Sequence, residues 1–154
     1  MNQPLTKPSS RHRGSWFAAG FLVALLSGSL FAYTRQAEPA TAEVRTLVRS
    51  TTSWEGSVLP AYPEGQPEIT ILHITVPPKF KLPLHYHPVI NAGVLLEGEL
   101  TVVTDQDEVL ELKAGDAIIE VVDKLHYGFN PGDVPAVIIV FYAGTVGGDI
   151  TVVE

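Results

Sequence analysis

The sequence predicts an all-β fold for residues 51–154, preceded by one hydrophobic N-terminal helix. Three observations predict it. Beyond residue 43 the apolar residues show no helical period, and they fall in short runs rich in Val, Ile and Thr. Gly, Pro and Asp clusters separate those runs at intervals too short for crossover helices. Turns so closely spaced favour antiparallel hairpins arranged as a sandwich or barrel.

The chain has 154 residues, a length suited to one domain with an appendage. Residues 1–13 form a basic segment, with Lys7, Arg11 and Arg13 and no acid. Residues 14–34 carry no Lys, Arg, Asp, Glu or His, and as a helix they would rise about 30 Å, close to a bilayer's hydrocarbon thickness. The positive flank leaves the N-terminus in the cytoplasm and the C-terminal domain outside. Two readings stay open for this segment. It is a single-pass transmembrane anchor with the C-terminal domain outside, in the periplasm, or a signal peptide cleaved after Ala40-Thr41-Ala42. The apolar run exceeds the length of most signal peptides and ends well before that cleavage site. Residues 35–50, with Ala, Glu, Pro and Thr, read as a linker.

The strands then come in order. Ile69 to Val76 is one, stopped by Pro77-Pro78. Val94-Leu95-Leu96 reaches a turn at Glu97-Gly98, and Leu100 to Thr104 returns. Asp105-Gln106-Asp107 turns into Val109 to Leu112, and Ala114-Gly115-Asp116 into Ala117 to Val122. Val137 to Tyr142 is the most continuously apolar run and is expected to be buried on both faces.

Charge and composition exclude several classes. Residues 43–154 hold 6 Lys/Arg against 16 Asp/Glu, so this domain repels phosphate backbones and nucleic acid is not an expected partner. The absence of cysteine removes disulfides, thiolate metal sites and thiol nucleophiles together. Any transition-metal site must use imidazole and oxygen donors.

His85-Tyr86-His87 supplies two imidazoles at i and i+2. On a strand these share a face, about 6.6 Å apart, and can converge on one ion. Farther along, His126, Gly128 and Asn130 would share a face as well. The stretch His85-x-His87-x3-Asn91-x6-Gly98 resembles the first motif of the cupin superfamily. Gly115-x5-Val121-x-Asp123-x2-His126-x3-Asn130 resembles the second. With Ser53-Trp54, Tyr62-Pro63-x-Gly65-x-Pro67-Glu68 and Val140 to Gly144, the resemblance reaches across about residues 50–153, as in small single-domain cupins.

That resemblance implies a jelly-roll-like double-sheet barrel enclosing a divalent metal ion, with Mn, Fe, Zn and Ni all open. Its three histidine positions fall on His85, His87 and His126. Its glutamate position falls on Asn91, so an amide dipole stands where a full negative charge is expected. Lys79, Val121 and Asp123 replace a glycine, a proline and a glycine that shape turns.

Among the remaining polar and aromatic residues, His73 reads as a rim or surface residue, and Glu97 and Glu99 as solvated hairpin charges. Tyr86 and Tyr127 should face away from the ligands, and Asn130 should stabilise a turn. Trp54 and Tyr62 are candidates for covering a barrel end or a homodimer seam. Two functions stay open: a metal-dependent enzyme acting on a small molecule, such as an oxygenase or isomerase, and a non-catalytic module capturing a small ligand or metal. No second acid–base group is evident beside the histidines.

Overall fold

The computed structural model describes residues 41–154. The basic segment 1–13 and the apolar segment 14–34 therefore lie outside the described residues. Residues Ala42–Glu154 form one compact unit. No helix occurs among the described residues, and hence none long and apolar enough to cross a membrane.

Nine strands build two antiparallel sheets: β1 (Pro67–Val76), β2 (His85–Tyr86), β3 (Asn91–Glu97), β4 (Glu99–Thr104), β5 (Val109–Lys113), β6 (Ala117–Ile119), β7 (His126–Phe129), β8 (Ala136–Thr145) and β9 (Val152–Val153). One sheet has the order β1-β8-β3-β6, the other β5-β4-β7-β2-β9. Five of the predicted runs are matched within a few residues. The run from Ala117 to Val122 keeps ladder pairing only as far as Ile119.

The core lies between the sheets. Val76, Leu95, Leu100, Val102, Ile118 and Ile138 are all at most 5 % exposed. Each such side chain contributes about 1.5–3 kcal/mol of burial free energy. Trp54 packs on this cluster and its amide donates to the Ile119 carbonyl at 2.9 Å, so it closes the barrel beyond β6. Tyr62 is exposed, over a groove that also touches Pro67, Ile69 and Phe141.

β8 departs from expectation. Its inner residues Ile138, Val140 and Tyr142 are buried, while Ile139 and Phe141 are 37 % and 41 % exposed. β8 has neighbours on both edges, β1 and β3, but no layer among the described residues covers its outer face. A continuous apolar run does not distinguish a strand covered twice from one covered once.

Two turns rely on glycine. Gly98 joins β3 to β4 with a φ of 75°, and a Cβ there would stand 2.6 Å from the Pro135 carbonyl oxygen. Gly115 has a φ of 96° and open space around it.

Candidate metal centre

Register brings the histidines together. β2 is clasped between β7 and β9, and His85 stands directly opposite His126 on β7 and Val153 on β9. Directly opposed residues share a face, and His87, two residues beyond His85, joins the same inward row. The ring centroids lie 5.0 Å apart for His85 and His87, 4.5 Å for His85 and His126, and 5.0 Å for His87 and His126. One nitrogen from each ring falls within 4.8 Å of the others. Ligand nitrogens at about 2.1 Å from a common ion stand about 3.4 Å apart in tetrahedral geometry, so ring shifts of under about 1 Å suffice to bind one.

The second nitrogen of each ring is already engaged. His85 Nδ1 meets the Pro83 carbonyl at 2.7 Å, His87 Nδ1 the Ile150 carbonyl at 2.9 Å, and His126 Nδ1 the Lys124 carbonyl at 2.9 Å. A carbonyl only accepts, so in each ring Nδ1 is the protonated donor, and in the neutral form Nε2 bears the free lone pair. Three clustered rings, each held through Nδ1 by a backbone carbonyl, match the carbonyl-oriented histidines of metal sites. Burial, followed by repulsion between the rings, lowers His87 to about 3, although the Ile150 carbonyl pulls the other way. Burial likewise lowers His126 to about 4 against the pull of the Lys124 carbonyl. Both rings are thus neutral ligands at neutral pH.

The histidines belong to one sheet, and the other sheet faces them with polar groups of its own. Tyr142 of β8, Asn91 of β3 and Glu120, just past β6, form one inward row. Asn91 pairs with Tyr142, and the Glu120 amide donates to the Asn91 carbonyl at 3.2 Å. Burial raises the Glu120 carboxyl to about 7. Its Oε2 lies 3.7 Å from His126 Nε2 and accepts no hydrogen bond. Burial, with Glu120 nearby, raises the Tyr142 hydroxyl to about 12. Between the sheets lies a cavity of about 50 Å³, lined by the three histidines, Glu120 and Tyr142 together with apolar residues. Asn91 is fully buried on the same inner face but does not line that cavity, and its Oδ1 has no partner.

Sequence reasoning did not single out Glu120. The available signal was an ionisable residue between Ile119 and Val121 in an otherwise apolar run. The expectation that no acid–base group stands beside the histidines is therefore corrected. His73 is exposed on β1, Glu97 and Glu99 are exposed, and Asn130 clamps a turn. Asn130 donates to the Val76 and Val134 carbonyls at 3.0 and 2.9 Å and accepts from Gly132 N–H at 2.9 Å. Tyr127 turns outward beneath Lys81, whose Nζ lies 3.4 Å from the ring centre.

The two departures at glycine positions keep the glycine conformation. Lys79 and Asp123 have φ of 59° and 55°. The Asp123 amide donates to the His87 carbonyl at 2.9 Å, which joins the loop before His126 to the segment bearing His87. Lys124 continues this joint: its side chain forms an ion pair with Glu55 at 2.7 Å while its carbonyl orients His126.

Residues 72–142 match the family model described as Cupin domain. No curated protein matches the chain. Solved structures similar to it include a DMSP lyase from Ruegeria pomeroyi, at 20 % identity and a TM-score of 0.49 over 56 % of this chain and 43 % of that one. Another is the oxalate decarboxylase of Lactobacillus farciminis in a formate complex, at 19 % identity and 0.48, over 55 % of this chain and 26 % of that one. A third is an uncharacterized conserved protein with a double-stranded β-helix domain from Klebsiella pneumoniae, at 20 % and 0.49, over 60 % and 87 %. The chain thus spans less than half the length of the first two. The family match encloses Asn91, both histidine-bearing motifs and the facing Glu120, and the two-sheet architecture agrees with a cupin domain over residues 72–142.

Proposed function

We propose that the protein is a metal-binding cupin-domain protein, held outside the cytoplasm, whose barrel binds or transforms a small molecule. One observation carries the metal: all three Nδ1 atoms are tied to backbone carbonyls while the rings stand close enough for one nitrogen of each to lie within 4.8 Å of the others. Imidazole donors suit Zn, Fe and Ni, and an added oxygen donor extends the range to Mn. Such an ion, when bound, would supply Lewis-acid or redox chemistry at open coordination positions.

The lining supports a restricted ligand. The cavity of about 50 Å³ has room for one or two waters or a few non-hydrogen atoms. Around the polar groups it is walled by Ile74, Val76, Leu82, Leu100, Val102 and Ile138. A second, apolar space of about 190 Å³, beside Leu72, Pro83 and Val153, shares Ile74, Leu82, His85 and Tyr142 with it. No lysine or arginine lines either space. A small ligand with an apolar body and one metal-binding head fits that chemistry better than a dianion.

The placement outside the cytoplasm rests on Lys7, Arg11 and Arg13 preceding the uncharged residues 14–34. A reporter fused at the C-terminus should be active only on the far side of the membrane. A mature N-terminus at Glu43 would replace the anchor with a cleaved signal. Elemental analysis of the chain, purified without a polyhistidine tag, tests the metal. About one transition-metal ion per chain is expected, and its loss in His126→Ala. A chain that neither carries nor takes up such an ion would overturn the reading in favour of a metal-free cavity.

A further inference from the structure

We infer that Glu120 supplies the carboxylate of this metal centre, reaching the ion from the sheet that faces the three histidines and taking the part that the family pattern assigns to the position of Asn91. The inference rests on the metal-binding reading above and adds the ligand that reading lacks.

The first argument is the state of the side chain. Glu120 is about nine-tenths buried, and its Oε2 accepts no hydrogen bond. Among the described residues no lysine or arginine pairs with it. A buried carboxylate oxygen without a donor is strongly unfavourable unless a cation lies beside it. Its polar neighbour is His126 Nε2 at 3.7 Å, the atom whose lone pair is free. Two ligand atoms each about 2.1 Å from one ion stand 3.7 Å apart when they subtend about 120° there, well within the range of tetrahedral and five-coordinate sites.

The second argument is register. Ala92 pairs with Ile119 and Gly93 with Ile118, and the Glu120 amide, donating to the Asn91 carbonyl at 3.2 Å, carries that register one residue past β6, so Asn91 stands opposite Glu120. Side chains so opposed start about 5 Å apart. The carboxylate that position 91 does not supply is therefore available from the neighbouring strand's end, on the same wall of the barrel. Glu120 lines the cavity with the histidines, and Asn91 does not.

The third argument is charge. Three neutral imidazoles leave a divalent ion's charge uncompensated in the donor set, and one carboxylate halves it. The ion would then join the two sheets, with three donors from one and one from the other.

The test uses the full chain in mild detergent, without a polyhistidine tag, titrated calorimetrically with Mn²⁺ and with Zn²⁺. Glu120→Gln should weaken binding about tenfold or more, while melting in chelator at no lower temperature than wild type, because it removes an ionisable group from a dry site. Asn91→Glu combined with Glu120→Gln should recover most of the lost affinity. Should Glu120→Gln not fold, Glu120→Asp keeps the charge but shortens the reach, and the same weakening is expected. Unchanged affinity in the Glu120 variants, with binding abolished in His126→Ala, would overturn the inference and leave the metal reading intact. Weakening by Asn91→Ala but not by Glu120→Gln would assign the role to the amide and overturn it too. If wild type and His126→Ala alike bind neither ion, the metal reading itself has failed.

Discussion

Alanine at Gly98 should destabilise the barrel far more than alanine at Gly115, though both glycines occupy left-handed turns. The left-handed conformation costs a non-glycine residue about 1–2 kcal/mol. Both positions incur that term, with φ of 75° and 96°. They differ in what a Cβ meets. At Gly98 it would lie 2.6 Å from the Pro135 oxygen and 2.9 Å from the Ala136 Cα, both backbone atoms at the start of β8. Ala136 is fully buried and opposite Val76 in the ladder, so it has nowhere to retreat. Overpacking of this kind adds about 1–3 kcal/mol. Gly98→Ala should therefore cost about 2–5 kcal/mol and Gly115→Ala about 1–2 kcal/mol. Loss of glycine's freedom in the unfolded chain offsets both alike and cancels in the comparison. Urea denaturation of wild type and both variants measures the difference, with matched m-values required before the free energies are compared. A Gly98→Ala variant no less stable than Gly115→Ala would refute the argument that close approach to β8 requires glycine there.

The other predictions concern charge and backbone. In chelator, His87 and His126 titrate at about 3 and about 4 in the folded state, against about 6.5 when unfolded, so their stabilisation is complete above about pH 6.5 and is lost as pH falls toward those folded values. Glu120 acts oppositely: folded it titrates at about 7 against 4.5, so its contribution is complete below pH 4.5 and is lost as pH rises to about 7. Metal-free stability should thus peak near pH 6.5, and the wild-type minus Glu120→Gln difference should fall by up to about 3 kcal/mol between pH 4.5 and 7; a flat difference in urea midpoints would contradict this. Asp123→Gly should raise stability by up to about 1 kcal/mol, because Asp123 holds a φ of 55° that glycine adopts freely while the amide bond to His87 is kept. A destabilised Asp123→Gly, measured by thermal melting, would mean that the aspartate side chain itself supports the loop.

Much of the site was legible because strand geometry has a period of two. His85 and His87 had to share a face once they lay on extended chain, and His126, Gly128 and Asn130 form the buried set of β7 and its exit. Lys79 and Asp123 looked like departures from the family pattern, yet both keep the left-handed backbone that its glycines imply. Glu120 was not legible by the same rule. Regular pairing ends at Ile119, so alternation alone does not fix where the next side chain points; its carbonyl-bonded neighbour across the gap, Asn91, does. β9 carries two residues and exists only through its pairing with β2, a non-local cause that leaves no local pattern. The exposed outer face of β8 was missed because apolarity reports a preference for burial and says nothing of whether another layer is there to provide it.

The two-residue strand β2, clasped by β7 on one side and β9 on the other, has a consequence for timing. His87 is held by a carbonyl 63 residues away in sequence, and His85 is opposed on both edges by distant segments. Contacts so remote close late, after shorter loops have formed. On that order of events the histidine row would be complete only when the barrel is nearly finished, and an ion taken up as proposed would have nothing to grip in the transition state. Added metal should leave the refolding rate almost unchanged and slow unfolding by nearly the whole of the binding free energy, so that the ion acts as a latch on a barrel already built.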